Sequence, residues 1–236
     1  MGAAIDPKEH DLPDLVGGWS LERYAVTRDA SVDLFVPREP DALLDDVEVQ
    51  ERNRYNDSMP YWAWVWDSAP VLARQVAEDL GDRSRPARVL EVGAGLGLVG
   101  LGVAAALGPR AEVLLTDHDP DAVRALEAQI VKNGATRTRA MHFDWNEPRA
   151  LAGERFDVVI GCDVTYEARS HEPLLGLLGS ALDRDGVAWF GDPGRTRAPG
   201  FVRRAEAAGW TVDALTAEGT PRGLEAGSYR ALRLSR

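Results

Sequence analysis

The sequence predicts an α/β fold in which a doubly wound, mostly parallel sheet carries helices on both faces. First, residues 89–92 have strand preference and run directly into glycines at positions 93, 95 and 97. Second, residues 98–107 are apolar and Ala-rich with helical spacing, which completes a strand, a tight turn and a helix. Third, segments of strand and helix character alternate through most of the remaining chain, as they do in βα units.

Length and composition fit one main domain with added segments, because 236 residues, 44% of them hydrophobic, are enough to bury a full core. No apolar run approaches the ~18 residues of a membrane-spanning helix, and residues 1–8 lack the apolar core of a secretory signal. Cys162 is the single cysteine, which excludes an intramolecular disulfide. These features predict a cytoplasmic protein that does not bind membranes.

The net charge of −11 at pH 7 is concentrated in residues 1–60, which hold 14 Asp or Glu against 6 Lys or Arg. A surface of this sign repels phosphate backbones, so we expect no nucleic acid among the partners. It attracts a partner that bears lysines, although acidic side chains that only keep the protein in solution explain the same numbers.

Residues 1–55 lack the βα alternation and are predicted to form an amino-terminal extension packed on a main domain of residues 56–236. Within the extension, residues 19–27 and 31–36 have the character of two short strands of a hairpin. Residues 41–52 are expected to form an acidic helix. Whether the extension contributes to a substrate site stays open.

Three of the seven tryptophans, Trp62, Trp64 and Trp66, fall within five residues. Tryptophan buries a large area and carries an N–H donor, so the cluster is a plug in the core, an interface or a wall for a flat ligand. A helix is expected over residues 71–80, with Pro70 in its first turn.

The glycine turn predicts a nucleotide or nucleoside ligand, because glycines at alternate positions present bare backbone at the amino end of a helix. Residues 95–100 satisfy the dinucleotide signature G-x-G-x-x-G, with Asp117 22 residues beyond Gly95 as a ribose partner. The register favours a different signature, because the first glycine after the strand is Gly93 and an acidic residue, Glu91, lies inside the strand end.

The same signals place the remaining elements. Strands are predicted over residues 112–116, 137–143, 156–162, 187–191, 211–215 and 228–234, and helices over residues 119–133, 174–182 and 201–208. The last two strands form an antiparallel pair, so the final strand runs against the others. The outcome is a Rossmann-like sheet with an amino-terminal extension.

Acidic residues follow three predicted strands at the edge where open α/β sheets bind ligands. Asp117 is placed to accept two ribose hydroxyls. Asp144 is placed to accept from an adenine amino group while the ring of Trp145 covers the base. Asp163 follows the strand at residues 156–162, with a helix cap as its competing explanation.

Together, these motifs resemble those of methyltransferases. Glu91-x-Gly93-x-Gly95-x-Gly97 resembles the first motif of class I enzymes that use S-adenosylmethionine (SAM). From about residue 60 the chain is similar to the seven-β-strand lysine-methylating group called family 16. The matching segments are residues 65–69, 91–97, 116–117, 144–145 and 163–166, the last of which fits the group's D-x-x-Y motif. Residues 60–63 and 191–195 look most like the electron-transfer-flavoprotein β-subunit lysine methyltransferase and its bacterial relatives.

This resemblance implies SAM as cofactor and a protein with an exposed lysine as partner. The residues it marks for cofactor binding, with those placed above, are Trp66, Glu91, Gly93, Ala94, Gly95, Gly97, Asp117, Asp144, Trp145 and Cys162. Asp163 and Tyr166 are expected to face the acceptor as the catalytic pair. No metal is expected, because the four histidines lack ligand spacing with Cys162.

Three alternatives stay open. The first is methylation of a small-molecule amine or biosynthetic intermediate, which an enclosed pocket roofed by the extension and by Trp62 or Trp64 would favour. The second is a non-catalytic SAM-binding scaffold, against which the intact Asp163 and Tyr166 argue. The third is a nicotinamide oxidoreductase. The sequence leaves the acceptor, the number of methyl groups and the oligomeric state undetermined.

Overall fold

The computed structural model describes residues 5–45, 47, 49–51, 59–81 and 85–236. Its strands are β1 (Trp19–Ala25), β2 (Ser31–Pro37), β3 (Ala87–Val92), β4 (Ala111–Asp117), β5 (Thr138–His142), β6 (Phe156–Cys162), β7 (Leu182–Asp192), β8 (Thr211–Leu215) and β9 (Arg230–Ser235). The α-helices with described bounds are α1 (Ser68–Gly81), α2 (Leu98–Leu107), α3 (Pro120–Lys132), α4 (His171–Ala181) and α5 (Ala198–Ala207). The predicted α/β class is confirmed.

The main sheet has seven strands in the order β5-β4-β3-β6-β7-β9-β8. Strands β3 to β7 are parallel, and β9 lies antiparallel between β7 and β8, which confirms the prediction for the last strand. The strand order reverses at β3, whose neighbours are β4 and β6. Ligands of open α/β sheets bind at such a switch point, beyond the carboxyl ends of the strands.

The strands alternate between two packed faces. Val89 of β3 lies in the same hydrophobic cluster as Leu72 of α1, and the next residue, Leu90, lies in the cluster that contains Leu174 of α4 and Phe201 of α5. This follows from the two-residue period of a strand, and a parallel sheet is normally covered on both faces in this way. The central strand β3 is therefore held from both sides, which makes its carboxyl end a rigid platform.

Strands β1 and β2 form the predicted hairpin, which packs against α3 through side-chain to backbone hydrogen bonds. Gln129 accepts the N–H of Phe35 at 2.9 Å and donates to its carbonyl at 2.7 Å. Asn133 makes the same pair of bonds with Asp33, at 3.0 and 2.8 Å. These amides take the place of a neighbouring strand along β2, whose backbone would otherwise be unpaired on that side.

Several boundaries differ from the sequence-based expectations, three of them as follows. Helix α5 begins at Ala198 and includes Pro199, because a proline in the first helical turn gives up an N–H that has no partner there. Strand β7 begins at Leu182, directly after α4. The acidic helix expected over residues 41–52 starts as a 3-10 helix at Pro40–Asp45, and its remainder falls partly outside the described residues. None of the helices in the described part of the chain combines the length and apolar character of a bilayer span.

Candidate functional site

The turn after β3 brings bare backbone to the switch point of the sheet. Gly93 and Gly95 have φ values of 61° and 53°, in the left-handed region that glycine adopts without strain. A Cβ on Gly93 would lie 2.9 Å from Cγ1 of Val164, and one on Gly95 would lie 3.1 Å from the carbonyl oxygen of Trp62. Both conformation and space therefore require glycine. Gly97 is the N-cap of α2.

Glu91 of β3 connects this strand to the helix that follows the glycine turn. The residue is 1% exposed, and its Oε2 accepts the backbone N–H of Gly100 at 2.7 Å. Burial raises the pKa of Glu91 to about 8; the nearby carboxylate of Asp117 adds to that rise, and the hydrogen bond from Gly100 opposes it. The carboxyl group thus stabilises the first turn of α2 while it lines the cavity described below.

Asp117 lies buried at the carboxyl end of β4, with both oxygens turned toward backbone donors. Its Oδ2 accepts the N–H of Gly95 at 2.9 Å, and its Oδ1 accepts the N–H of Asp119 at 3.0 Å. The imidazole of His118 lies 3.4 Å from Oδ1, and this hydrogen-bonding contact raises the pKa of His118. A carboxylate has about four lone-pair sites, so Asp117 retains capacity for further donors.

Trp145 lines the cavity, whereas its neighbour Asp144 does not. The half-buried ring of Trp145 lies over the glycine turn, with its Cζ3 3.3 Å from the place of a Cβ on Gly93, and it lines the cavity. Asp144 is not among the lining residues, and its Oδ1 accepts from the backbone and side-chain N–H groups of Asn146 at 2.8 and 2.7 Å. Trp145 is therefore at the site, and Asp144 lies beside it.

The tryptophan cluster contributes to both the core and the site. Trp62 is buried and stacks on Trp19 with 6.4 Å between ring centroids. Trp64 and Trp66 are half-buried, with ring centroids 6.5 Å apart, and both line the cavity. Tyr61 contacts both rings, at 6.3 and 6.2 Å. Trp62 lines the cavity as well, so the core plug is present at Trp62, and the wall for a flat ligand stays a prediction for all three rings.

These groups meet in one cavity at the carboxyl ends of β3, β4 and β6. The predicted residues that line it are Trp66, Glu91, Gly93, Ala94, Gly95, Gly97, Asp117, Trp145, Cys162, Asp163 and Tyr166. All predicted site residues except Asp144 are thus brought together. Burial raises the pKa of the Cys162 thiol to about 12, and its Sγ lies 3.6 Å from the hydroxyl of Ser68, so the thiol is a neutral wall group.

A second cavity adjoins the first and shares four of its residues. It is lined by Tyr61, Trp66, Asp163, Tyr166 and Arg195, all of which except Arg195 also line the first cavity. Tyr61 and Tyr166 meet edge to face, with 6.1 Å between ring centroids, and are 41% and 39% exposed. Their rings therefore form part of the mouth as well as the wall.

Asp163 and Arg195 form a bidentate ion pair in the wall of the second cavity. Arg195 Nε donates to Asp163 Oδ1 at 3.1 Å, and its terminal nitrogen donates to Oδ2 at 2.8 Å. The Asp163 side chain is 3% exposed, whereas that of Arg195 is 41% exposed. Asp163 also has a φ of 54°, a conformation that non-glycine residues rarely adopt and that is concentrated at functional sites.

Buried Asp192 fixes the turn that carries Arg195. Its Oδ1 accepts the N–H groups of Gly194 and Arg195 at 2.8 and 2.7 Å, and its Oδ2 accepts the hydroxyl of Thr165 at 2.7 Å. This carboxylate ties the loop after β7 to the loop after β6. The backbone of Arg195 is consequently held in a defined position, from which its side chain extends to Asp163.

Sequence reasoning assigned no role to Tyr61, Asp192 or Arg195. Nothing in the local sequence around Arg195 shows that its side chain turns toward Asp163, 32 positions earlier. The motif Gly191-Asp192-Pro193-Gly194-Arg195 is the sequence signal that could have pointed to Asp192 and Arg195. As for metals, no cluster of three or more His, Cys, Asp or Glu suited to an ion occurs among the residues described.

Comparison with known sequences gives the family. A family model described as lysine methyltransferase matches residues 45–197, more than half of the chain. The chain is 30% identical over 156 residues to a calmodulin-lysine N-methyltransferase of Arabidopsis thaliana, covering 64% of this chain and 51% of that protein. It is 36% identical over 130 residues to the protein N-lysine methyltransferase METTL21A of Danio rerio, covering 53% and 57%.

A third relative is the histone-arginine methyltransferase METTL23 of Xenopus laevis, 30% identical over 162 residues, with 66% of this chain and 62% of that protein covered. The chain therefore spans between 51% and 62% of the length of these three relatives.

Solved structures give the fold. An O-methyltransferase family protein from Burkholderia thailandensis superposes with a TM-score of 0.57 at 16% identity, covering 84% of this chain and 62% of that one. The precorrin-6y C5,15-methyltransferase of Geobacter metallireducens superposes with a TM-score of 0.54 at 15% identity, covering 69% and 87%. The chain belongs to the lysine methyltransferase family, and its cofactor is SAM.

Proposed function

We propose that this protein transfers the methyl group of SAM to the side-chain amine of a lysine in another protein. The observation that carries the proposal is the pair of adjoining cavities, because Tyr61, Trp66, Asp163 and Tyr166 line both. A ligand in the first cavity and a side chain in the second would meet at these four residues. Such proximity is what methyl transfer requires.

In this proposal the first cavity holds the cofactor. The lining of this cavity fits a nucleoside. The bare backbone at Gly93 and Gly95 allows close approach, and the carboxylate of Asp117 can accept from ribose hydroxyls. The flat ring of Trp145 offers a stacking surface for the base. The other residues proposed to bind the cofactor are Trp66, Glu91, Ala94, Gly97, Cys162 and, at the margin, Asp144.

The second cavity would hold the acceptor lysine. Aromatic walls suit the aliphatic stem of lysine, and the carboxylate of Asp163 is able to accept from its amine. Because Tyr61 and Tyr166 remain partly exposed at the mouth, the opening favours a side chain that enters from a macromolecular surface. None of the described residues between 5 and 51 lines either cavity, so this part of the extension does not form a roof over them.

For methyl transfer, the protein must align the amine with the methyl group and bind the amine in its neutral form. Bound SAM supplies a methyl group on a sulfonium: the amine lone pair forms the new N–C bond, the S–C electron pair goes to sulfur, and the product nitrogen releases a proton. A lysine amine with a pKa near 10.4 costs roughly 4.6 kcal/mol to deprotonate at pH 7. Loss of water around the docked amine lowers that cost. Asp163 then orients the amine hydrogens, and Tyr166 directs the stem.

The finer parts of the proposal come from the sequence. We propose the β-subunit of electron-transfer flavoprotein as an acceptor, in the cytoplasm, with no part for nucleic acid or membrane. We also propose that residues 1–55 form an extension that folds onto a methyltransferase domain of residues 56–236. The hydrogen bonds of Gln129 and Asn133 to β2 support this arrangement.

The test is incubation with methyl-labelled SAM and either the protein fraction or the small-molecule fraction of a bacterial lysate, with purified electron-transfer flavoprotein in parallel. A discrete labelled band is the expected result, and mass mapping then distinguishes lysine from arginine. Label confined to the small-molecule fraction would overturn the proposal in favour of a small amine. Labelled lysine in a protein other than the flavoprotein would overturn only the finer assignment.

A further inference from the structure

Arg195 places a positive charge in the wall of the second cavity, directly against the carboxylate proposed to orient the acceptor. The guanidinium engages both oxygens of Asp163, at 3.1 and 2.8 Å, and a bidentate pair of this kind has a well-defined geometry. The Asp163 carboxylate is buried, so its charge acts on neighbours with little screening by water. At this wall the two charges offset each other.

Other charged and titratable groups surround this pair. They are Glu167 and Arg169, which pair with each other, buried Asp192, exposed Asp67, and the phenols of Tyr61 and Tyr166. Asp192 accepts the hydroxyl of Thr165 and two backbone N–H groups, and its carboxylate also interacts electrostatically with Arg195. Burial raises the pKa of Tyr166 to about 12, so this phenol is neutral at the pH of any ordinary assay.

The guanidinium also occupies an aromatic face. Its central carbon lies 5.4 Å from the centroid of the Trp66 ring, within the range of a cation–π contact. An entering ammonium ion would therefore meet a face that already holds a cation. A neutral amine meets no such opposition.

We propose that Arg195 is a positioning residue that holds Asp163 in place for the acceptor lysine and keeps that lysine in its neutral, nucleophilic form. This role rests on the lysine methylation proposed above. An unpaired carboxylate beside the amine favours the ammonium form, and a guanidinium at similar distance cancels that preference. Arg195 uses two of the lone-pair sites of Asp163, and the remaining sites accept from the amine N–H groups.

The experiment compares the wild-type protein with Arg195→Gln, which removes the charge, and Arg195→Lys, which keeps it. Arg197→Gln is the matched control, since Arg197 is exposed and lies outside both cavities. The acceptor is the purified protein labelled in the lysate experiment, at saturating concentration with saturating SAM. The measured quantity is kcat between pH 6.5 and 10, because kcat reports ionisations in the bound complex.

We expect the rising limb of the Arg195→Gln profile to move about one to two pH units higher. Its kcat at pH 7.5 falls about 10- to 100-fold and recovers as the pH rises, because one pKa unit is tenfold in the population of neutral amine. Arg195→Lys keeps the wild-type midpoint, and so does Arg197→Gln. A structural defect would instead lower kcat by one factor at every pH.

Two outcomes overturn the inference in distinguishable ways. A labelled protein with the same midpoint in wild-type and Arg195→Gln proteins removes Arg195 from the control of the amine and leaves the proposed function standing. The absence of labelled lysine with wild-type protein overturns the proposed function and this role together. SAM binding by calorimetry verifies folding; if Arg195→Gln fails that check, Arg195→Met is measured with the same expectation.

Discussion

The side chain of Asp117 accepts a hydrogen bond from the backbone N–H of Gly95 at 2.9 Å, across 22 residues of sequence. The contact joins the end of β4 to the turn after β3, so the proposed ribose acceptor also braces the glycine turn. Loss of this carboxylate would remove a ligand contact and loosen the backbone that a nucleoside would lie against.

Asp117→Ala should weaken SAM binding by about 1 to 3 kcal/mol, because hydrogen bonds to a charged acceptor are lost in a buried site. Isothermal titration calorimetry measures this directly. Asp185→Ala serves as control, since Asp185 is exposed at the opposite end of β7. An unchanged dissociation constant in Asp117→Ala would rule out the ribose role.

Trp145→Ala should weaken SAM binding about tenfold or more, because stacking of a base on an aromatic ring contributes about 1 to 3 kcal/mol. Trp145→Phe, the matched variant, retains a flat ring over Gly93 and should keep most of the affinity. Asp144→Asn should have the smaller effect, since Asp144 lies beside the cavity and its Oδ1 is engaged by Asn146. The ranking is checked by the same titration, and equal losses in Trp145→Ala and Trp145→Phe would contradict stacking.

Asp163→Asn should lower kcat about 10- to 100-fold while SAM affinity stays within about twofold, because the substitution disturbs alignment of the amine, whereas asparagine has the same size and preserves the part of the first-cavity wall that Asp163 forms. Asparagine is chosen because it tolerates the left-handed backbone at this position better than alanine does. Asp213→Asn on the exposed side of β8 is the control. Wild-type turnover in Asp163→Asn would exclude Asp163 from the mechanism.

Glu91→Gln should flatten the pH dependence of stability. Burial raises the pKa of Glu91 to about 8, so the stabilisation of its protonated form is complete below the unfolded value near 4.5 and is lost as the pH rises toward 8. The wild-type free energy of unfolding should therefore fall by up to about 1.4 kcal/mol per pH unit over this range from this group alone.

Urea unfolding at pH 5, 6.5 and 8 measures the slope. Glutamine preserves the acceptor for the N–H of Gly100 and does not titrate, so the variant should lose this component. Glu206→Gln on the exposed surface of α5 should retain the wild-type slope. A slope in Glu91→Gln equal to that of the wild type would show that Glu91 is ionised throughout.

Much of the fold was predictable because its signals are local. The strand at Phe156–Cys162 and the helix at Leu98–Leu107 have the predicted bounds, since apolar period and flanking glycines act over a few residues. The cap of α3 was equally readable, because Asp119 bonds to the N–H of Asp121, two residues on. The meeting of strand ends followed from parallel topology alone.

Tertiary structure alone decided which way particular side chains turn. Trp62 is buried against Trp19 and also lines the site, whereas Trp64 and Trp66 are half-buried in the site wall, although the three tryptophans stand at alternate positions in one segment. Arg195 reaches Asp163 because buried Asp192 holds its loop against the loop after β6. Local sequence sets backbone preference, whereas the direction of a long side chain depends on contacts with elements far away in the chain. The sequence by itself therefore determined the sheet, the glycine turn and the class of ligand, and the packed fold determined the pairing of Asp163 with Arg195.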